Sequence, residues 1–125
     1  MFAVRTKLEN PVTSDKAELV ELCDASSVSP DTPLRAEVNG ESYAVFVVDG
    51  DYYVTQDACT HGPGLLSEGF VEGDEIECPF HQGRFNIRTG EPTSPPCTVA
   101  LRTWLAQLRD GKILISPSEA KSPVE

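Results

Sequence analysis

The sequence predicts an all-β fold, an antiparallel β-sandwich of short hairpins. Short runs rich in β-branched and aromatic residues recur along the chain, and Asn-Gly or Asp-Gly pairs separate several of them. No window of helical length carries an apolar stripe with the 3.6-residue period of a helix. A chain of 125 residues, 39% of them hydrophobic, is long enough to bury the core of one compact domain.

Four predicted strands occupy the first half of the chain, at residues 18–23, 34–38, 42–48 and 52–56. Asn39-Gly40 and Asp49-Gly50 lie between the last three strands, and both pairs readily take the positive φ values of a two-residue hairpin turn. These three strands should therefore form a meander. A short turn is expected at residues 24–28, after the first strand.

The C-terminal part shows the same pattern, because Asp110-Gly111 separates predicted strands at residues 103–109 and 112–116. Between the two β regions, residues 70–77 form a shorter hairpin-like segment. This segment separates two glycine-rich loops, which together make up most of the middle of the chain.

The folded domain is predicted to span residues 17–116. Residues 1–16 are polar and aperiodic, and they are expected to form a disordered N-terminal extension. Residues 117–125 mix Pro, Ser and charged residues without enough apolar surface to fold, and they are expected to form a disordered tail.

The charge and the cysteine content exclude several classes of function. Twenty acidic against ten basic residues give a net charge of −10, which repels phosphates and anionic lipids and attracts a basic partner. We therefore expect neither a nucleic-acid nor a membrane partner. The N-terminus lacks an apolar run of signal-peptide length, so the expected location is cytoplasmic. In that compartment four cysteines indicate metal or redox chemistry rather than disulfides.

Each glycine-rich loop contains one Cys-His pair. Cys59 and His61 form a C-x-H pair, and after sixteen intervening residues Cys78 and His81 form a C-x-x-H pair. Two thiolates and two imidazoles complete either a tetrahedral zinc site or a dinuclear iron–sulfur cluster. Zinc fingers usually take a cysteine pair from one turn and a histidine pair from another. One Cys and one His from each loop instead favours a [2Fe-2S] cluster, with a zinc-binding interaction module as the alternative.

Across the predicted folded span, and most strongly over residues 59–83 and 84–92, the sequence resembles a Rieske-type ferredoxin. It is more closely similar to the ferredoxin component of bacterial aromatic-ring-hydroxylating dioxygenase systems. The resemblance implies one [2Fe-2S] cluster per chain, held in a cluster-binding subdomain of two loops at about residues 57–90. It also implies that one iron stays ferric and that the histidine-bound iron accepts the electron. The implied cluster ligands are Cys59 and Cys78 on the first iron and His61 and His81 on the second.

The function that the resemblance implies is electron transfer. Single electrons would pass from a flavin-containing or iron–sulfur reductase to the terminal oxygenase, which holds the aromatic substrate. The chain itself should not be an enzyme, because no set of acid and base groups remains once both histidines are ligands. The alternative within this fold is a small Rieske-like subunit of another redox enzyme, such as nitrite reductase.

The resemblance also bears on the reduction potential. Two ferric ions, two sulfides, two thiolates and two neutral imidazoles carry no net charge, so Rieske centres are reduced more easily than all-cysteine clusters. High-potential members of the family add a disulfide between the cluster loops and a serine that donates to a bridging sulfide. Gly64, Phe80 and Gly83 occupy the corresponding positions here, which predicts a potential near the low end of the Rieske range.

Two further features concern residues outside the two Cys-His pairs. Cys23 and Cys97 lie outside the motif and are assigned no ligand role, since a free cysteine commonly packs as a small buried hydrophobe. Residues 67–77 contain five acids and no base, which is consistent with a negative docking surface or with a solvated hairpin face. These acids are Glu68, Glu72, Asp74, Glu75 and Glu77.

Overall fold

The computed structural model describes residues 19–60, 63–80, 82–95 and 97–120. Within these ranges the chain forms short strands and three single-turn 3-10 helices, which confirms the all-β prediction. The strands are β1 Val20–Asp24, β2 Leu34–Val38, β3 Glu41–Val48, β4 Asp51–Gln56, β5 Phe70–Glu72, β6 Glu75–Glu77, β7 Arg84–Asn86, β8 Pro92–Ser94, β9 Thr103–Trp104, β10 Gln107–Arg109 and β11 Lys112–Ile115.

The strands of the described ranges pair antiparallel in three sheets, with the orders β1-β11-β10, β2-β3-β4-β9 and β5-β6-β7-β8. The first two sheets form what we call the base sandwich. The third sheet packs on the far side of β3 and carries the two glycine-rich loops at its end. No helix in the described part of the chain is long and apolar enough to cross a membrane.

The predicted hairpin turns are confirmed by their backbone conformation. Asn39 and Gly40 have φ values of 53° and 81°, and they connect β2 to β3, whose end residues Val38 and Glu41 pair. Positive φ at both central residues matches the right-handed twist of the flanking strands. The two Asp-Gly turns have the same signs of φ, so all three predicted pairs close hairpins.

Strand β3 separates two hydrophobic cores, because alternate side chains of a strand point to opposite faces. Phe46 faces the third sheet and joins what we call the site core, whereas Val45 faces the other sheet and joins the base core. The base core also contains the ring of Tyr43 edge-on to Trp104, with 5.0 Å between centroids. The buried members of the site core are Ala44, Phe46, Val48, Cys59, Leu66, Ile76, Cys78, Phe85, Ile87, Cys97 and Leu101.

The prediction of one strand at residues 103–109 is wrong. Strand β9 pairs with β4 in one sheet and β10 pairs with β11 in the other, so the chain changes sheet between them. The physical reason is the sandwich itself, in which one apolar run supplies residues to both layers. Strands β7 and β8 were not expected, because three-residue strands next to glycine-rich loops leave almost no periodic signal.

The C-terminal end of the described chain also differs from expectation. Pro117–Glu119 forms a 3-10 helix at the start of the predicted disordered tail. The indole N–H of Trp104 donates to the carbonyl of Pro117 at 3.0 Å, which fastens this turn to the base sandwich. The predicted disorder of residues 1–16 and 121–125 lies outside the described residues.

Candidate metal centre

The two predicted ligand loops close in the same way. The backbone N–H of Cys59 donates to the carbonyl of Gly64 at 3.0 Å, and the backbone N–H of Cys78 donates to the carbonyl of Gly83 at 2.8 Å. Each cysteine therefore bonds to the glycine five residues later in the chain. We call these segments loop 1, residues 59–64, and loop 2, residues 78–83.

The structure brings the two predicted sulfur ligands together. Cys59 is 7% exposed and Cys78 is 1% exposed, and their thiols are within hydrogen-bonding contact of each other. Burial raises the pKa of the Cys78 thiol to about 11, with an opposing effect from the N–H of Phe80 and a further increase from Cys59. Two buried thiolates side by side need a cation to compensate their charge, as a metal does.

The two loops pack directly against each other. A Cβ atom added to Gly64 would lie 2.8 Å from a ring carbon of Phe80 and 3.2 Å from Cys78 Sγ. A side chain at position 64 would therefore displace the aromatic ring or the sulfur. The ring of Phe80 therefore lies against loop 1 at Gly64, in the space that a side chain at position 64 would need. The ring remains 51% exposed.

A buried carboxylate fixes the start of loop 1. Asp57 is fully buried, and it accepts hydrogen bonds from the Ser42 hydroxyl at 2.7 Å and from the Ser67 N–H at 2.9 Å. Its third partner is the guanidinium of Arg35, whose Nε lies 3.2 Å from Oδ2 of Asp57. These contacts hold both ends of the loop against β3. Sequence reasoning missed Asp57, although an acid directly after a strand and two residues before a predicted ligand is a usable signal.

A third segment forms the back of the site, and sequence reasoning also missed it. We call residues 97–101 the backing segment. Thr60 of loop 1 donates its hydroxyl to the carbonyl of Val99 at 2.6 Å, and Leu101 N–H donates to Gly90 at 2.8 Å. Cys97 is 5% exposed and its thiol contacts that of Cys59. Burial and the neighbouring Cys59 thiol raise the pKa of the Cys97 thiol to about 12.

The acids of residues 67–77 are largely paired with two arginines from later in the chain. The guanidinium of Arg84 lies 2.8 Å from a carboxylate oxygen of Glu72, 3.3 Å from one of Glu75 and 3.1 Å from one of Glu77. Arg88 lies 3.8 Å from Asp74 and 2.7 Å from Asp49. These pairs cannot be predicted from residues 67–77 alone, because Arg84 comes to lie beside β6 only when β7 pairs with it. Among the described residues, Glu68 alone of the five acids lacks such a cation.

Comparison with known proteins agrees with this geometry. Residues 18–105 match the family model of the Rieske [2Fe-2S] domain. Ferredoxin CarAc of Metapseudomonas resinovorans is 43% identical over 98 residues, which cover 78% of this chain and 92% of that protein. The ferredoxin component of the p-cumate 2,3-dioxygenase system of Pseudomonas putida is 39% identical over 105 residues, covering 82% and 89%.

A solved structure of a similar ferredoxin has the same fold. The ferredoxin in a complex of reduced oxygenase and oxidised ferredoxin of carbazole 1,9a-dioxygenase superposes with a TM-score of 0.75 at 42% identity, over 82% of this chain and 95% of that chain. The chain belongs to the Rieske [2Fe-2S] domain family. The relatives are named as ferredoxin components, that is, electron carriers, and the cofactor of this family is a Rieske-type [2Fe-2S] cluster.

The residues of the site fit that cofactor. Two buried thiols in mutual contact, one from each loop, are placed as two ligands of one tetrahedral metal must be. The predicted nitrogen ligands His61 and His81 lie outside the described residues, as does Gly62. In the sequence, each histidine lies between one of these cysteines and the glycine five residues after it.

Proposed function

We propose that this chain is the cytoplasmic ferredoxin component of an aromatic-ring-hydroxylating dioxygenase system. It takes single electrons from a flavin-containing or iron–sulfur reductase and gives them to the terminal oxygenase. The observation that carries the proposal is the pair of identically closed loops, which bury Cys59 against Cys78. The named roles of the relatives supply the partners, since one similar ferredoxin has been captured with its oxygenase.

The proposed ligand set is Cys59 and Cys78 on one iron and His61 and His81 on the other. Both histidines lie outside the described residues, and the C-x-H and C-x-x-H spacing supports them as the nitrogen ligands. When bound, the cluster supplies a carrier for one electron.

The protein groups around the site limit reorganisation when charge changes. The two Cys-to-Gly hydrogen bonds hold the loop backbones, and the Thr60 hydroxyl ties loop 1 to the backing segment. The N–H of Phe80 donates to the Cys78 sulfur, where it stabilises negative charge. Burial of both thiols excludes water from the sulfur side of the site.

We place the reduction potential near the low end of the Rieske range, which runs from about −150 to +300 mV. The apolar ring of Phe80 lies beside Gly64, where the high-potential proteins have a disulfide. Gly83 has no hydroxyl to donate. Fewer hydrogen bonds to the cluster leave the reduced form less stabilised. A redox titration with a strongly positive midpoint would contradict this placement.

The deciding experiment uses the full chain purified without oxygen. We expect two irons and two acid-labile sulfides per chain, no zinc, and a rhombic EPR signal on one-electron reduction. Stoichiometric zinc without sulfide would support the interaction module instead. The reduced protein should then be mixed with the oxidised terminal oxygenase of carbazole 1,9a-dioxygenase, and rapid reoxidation is expected. A loaded chain that reduces no such oxygenase, and that co-purifies with a large catalytic subunit, would favour an enzyme subunit.

A further inference from the structure

The thiol of Cys97 is the buried nucleophilic group that the proposed ligand set leaves unused. It belongs to the site core with Cys59 and Cys78, although it lies nineteen residues beyond the second of them in the chain. By contrast, Cys23 is half-buried on β1 and packs against the base core. The two cysteines outside the motif therefore have different surroundings.

The position of the Cys97 sulfur is fixed by loop 2. A Cβ atom added to Gly83 would overlap Cys97 Sγ and would lie 3.3 Å from Cys97 Cβ. Gly83 is also the residue whose carbonyl accepts the N–H of Cys78 and closes loop 2. The absence of a side chain at position 83 thus creates the space in which the Cys97 sulfur lies, directly beside the ligand loop.

The backing segment holds this sulfur from the other side. Its backbone is fixed on loop 1 by the hydrogen bond from Thr60 to Val99, and the N–H of Cys97 donates to Ser94 at 3.3 Å. The thiol then contacts the Cys59 thiol. Once Cys59 is a ligand it has no proton to donate, so it can only accept in this contact, and Cys97 can only donate.

We infer that Cys97 is a positioning residue that donates an S–H···S hydrogen bond to the Cys59 thiolate and so makes the cluster easier to reduce. This inference rests on the proposed ligand role of Cys59. A hydrogen bond to a ligand sulfur compensates part of its negative charge, and this compensation counts for more after an electron has been added. The proposed hydrogen bond transfers no proton, so the couple still transfers a single electron.

The test compares midpoint potentials of three variants of the full chain. Cys97→Val keeps an apolar side chain of similar size and removes the donor. At a fixed potential we expect its ratio of reduced to oxidised cluster to fall about threefold to tenfold, which lowers the midpoint by about 30 to 60 mV. Cys97→Ser keeps a donor and should titrate at or above the wild-type midpoint. Cys23→Val is the matched control and should leave the midpoint unchanged.

Iron and sulfide content, measured on each variant, separates the possible failures. If the wild-type chain contains no cluster, the proposed function fails first. If Cys97→Val contains the cluster and has the wild-type midpoint potential, the hydrogen bond is refuted. It is also refuted if Cys97→Ser lowers the midpoint potential as much as Cys97→Val does. Folded valine and serine variants that both lack a cluster would also overturn the inference, because Cys97 would then be needed for assembly.

Discussion

The base sandwich and the third sheet differ in the length of their strands and in what fills their cores. Strands β3 and β4 are eight and six residues long and pair along almost their whole length, whereas each strand of the third sheet has three residues. The base core is filled by apolar residues of two sheets. The site core instead includes three cysteines, and ion pairs cover the face of the third sheet.

This difference indicates two sources of stability. The base sandwich has a regular apolar pattern and tight turns, which suffice for a hydrophobic core. The strands of the third sheet are only three residues long, and metal binding contributes to the folding of the loops that hold the metal. The cluster should therefore stabilise the third sheet much more than the base sandwich.

Loss of a proposed cluster ligand should separate the two regions most clearly. In Cys78→Ala we expect complete loss of iron and sulfide, because one thiolate cannot hold the sulfur-bound iron. Hydrogen exchange should accelerate about tenfold or more at Ile76 and Phe85 and remain slow at Val45 and Val54. Cys23→Ala is the control and should keep both the cluster and its protection. Uniform protection in the cluster-free variant would refute the division.

Filling the space behind loop 2 should have the next largest effect. Gly83→Ala places a methyl group on the Cys97 sulfur, and overpacking of this kind costs about 1 to 3 kcal/mol in the free energy of unfolding. The double variant with Cys97→Ala should recover most of that loss in denaturant titrations. Gly111→Ala in the base sandwich meets no neighbouring atom and should cost only about 1 kcal/mol, because of its φ of +77°. Additive effects at 83 and 97 would contradict the contact.

The anchor between the two regions can be weakened by removing one charge. Asp57→Asn keeps the shape of the side chain and loses its charge-assisted bonds to Arg35 and Ser42, at a cost of about 2 kcal/mol. Thermal unfolding, followed together with cluster absorbance, should show both signals shifting to lower temperature. Asp49→Asn is the control, since that side chain is 81% exposed. An equal effect of the two substitutions would show that Asp57 is no anchor.

The smallest effect is expected on the surface of the third sheet. Arg84→Gln leaves the carboxylates of Glu72, Glu75 and Glu77 to repel one another, so the melting temperature should fall slightly. The fall should shrink when salt is added, because salt screens exposed charges. Arg109→Gln on β10 is the control and should change nothing measurable. A salt-independent loss would point to packing by the arginine stem.

Features that depend on neighbours in the chain could be read from the sequence. The Asn-Gly and Asp-Gly pairs determine hairpins because few other residues take positive φ without strain. The alternation along β3 and β4 reveals faces that must be buried. The Cys-His spacing identifies the cofactor class, since its chemistry depends on ligand types within short loops.

Features that depend on contacts between distant segments could not be read in this way. Nothing near Cys97 in the sequence indicates that its sulfur lies beside Cys59, and nothing near Glu72 indicates that Arg84 pairs with it. The sequence also does not show that residues 103–109 divide between two sheets, because a single apolar run can pack in either layer.

By itself, then, the sequence determined the turns, the alternating strands and the ligand loops, because each depends on local conformation or on side-chain chemistry. Only the tertiary structure decided that Asp57 anchors loop 1, that the backing segment closes the site and that Gly83 makes room for a third thiol. Those contacts form when β3 is covered on both faces, since that packing brings segments separated by up to about forty residues within hydrogen-bonding distance.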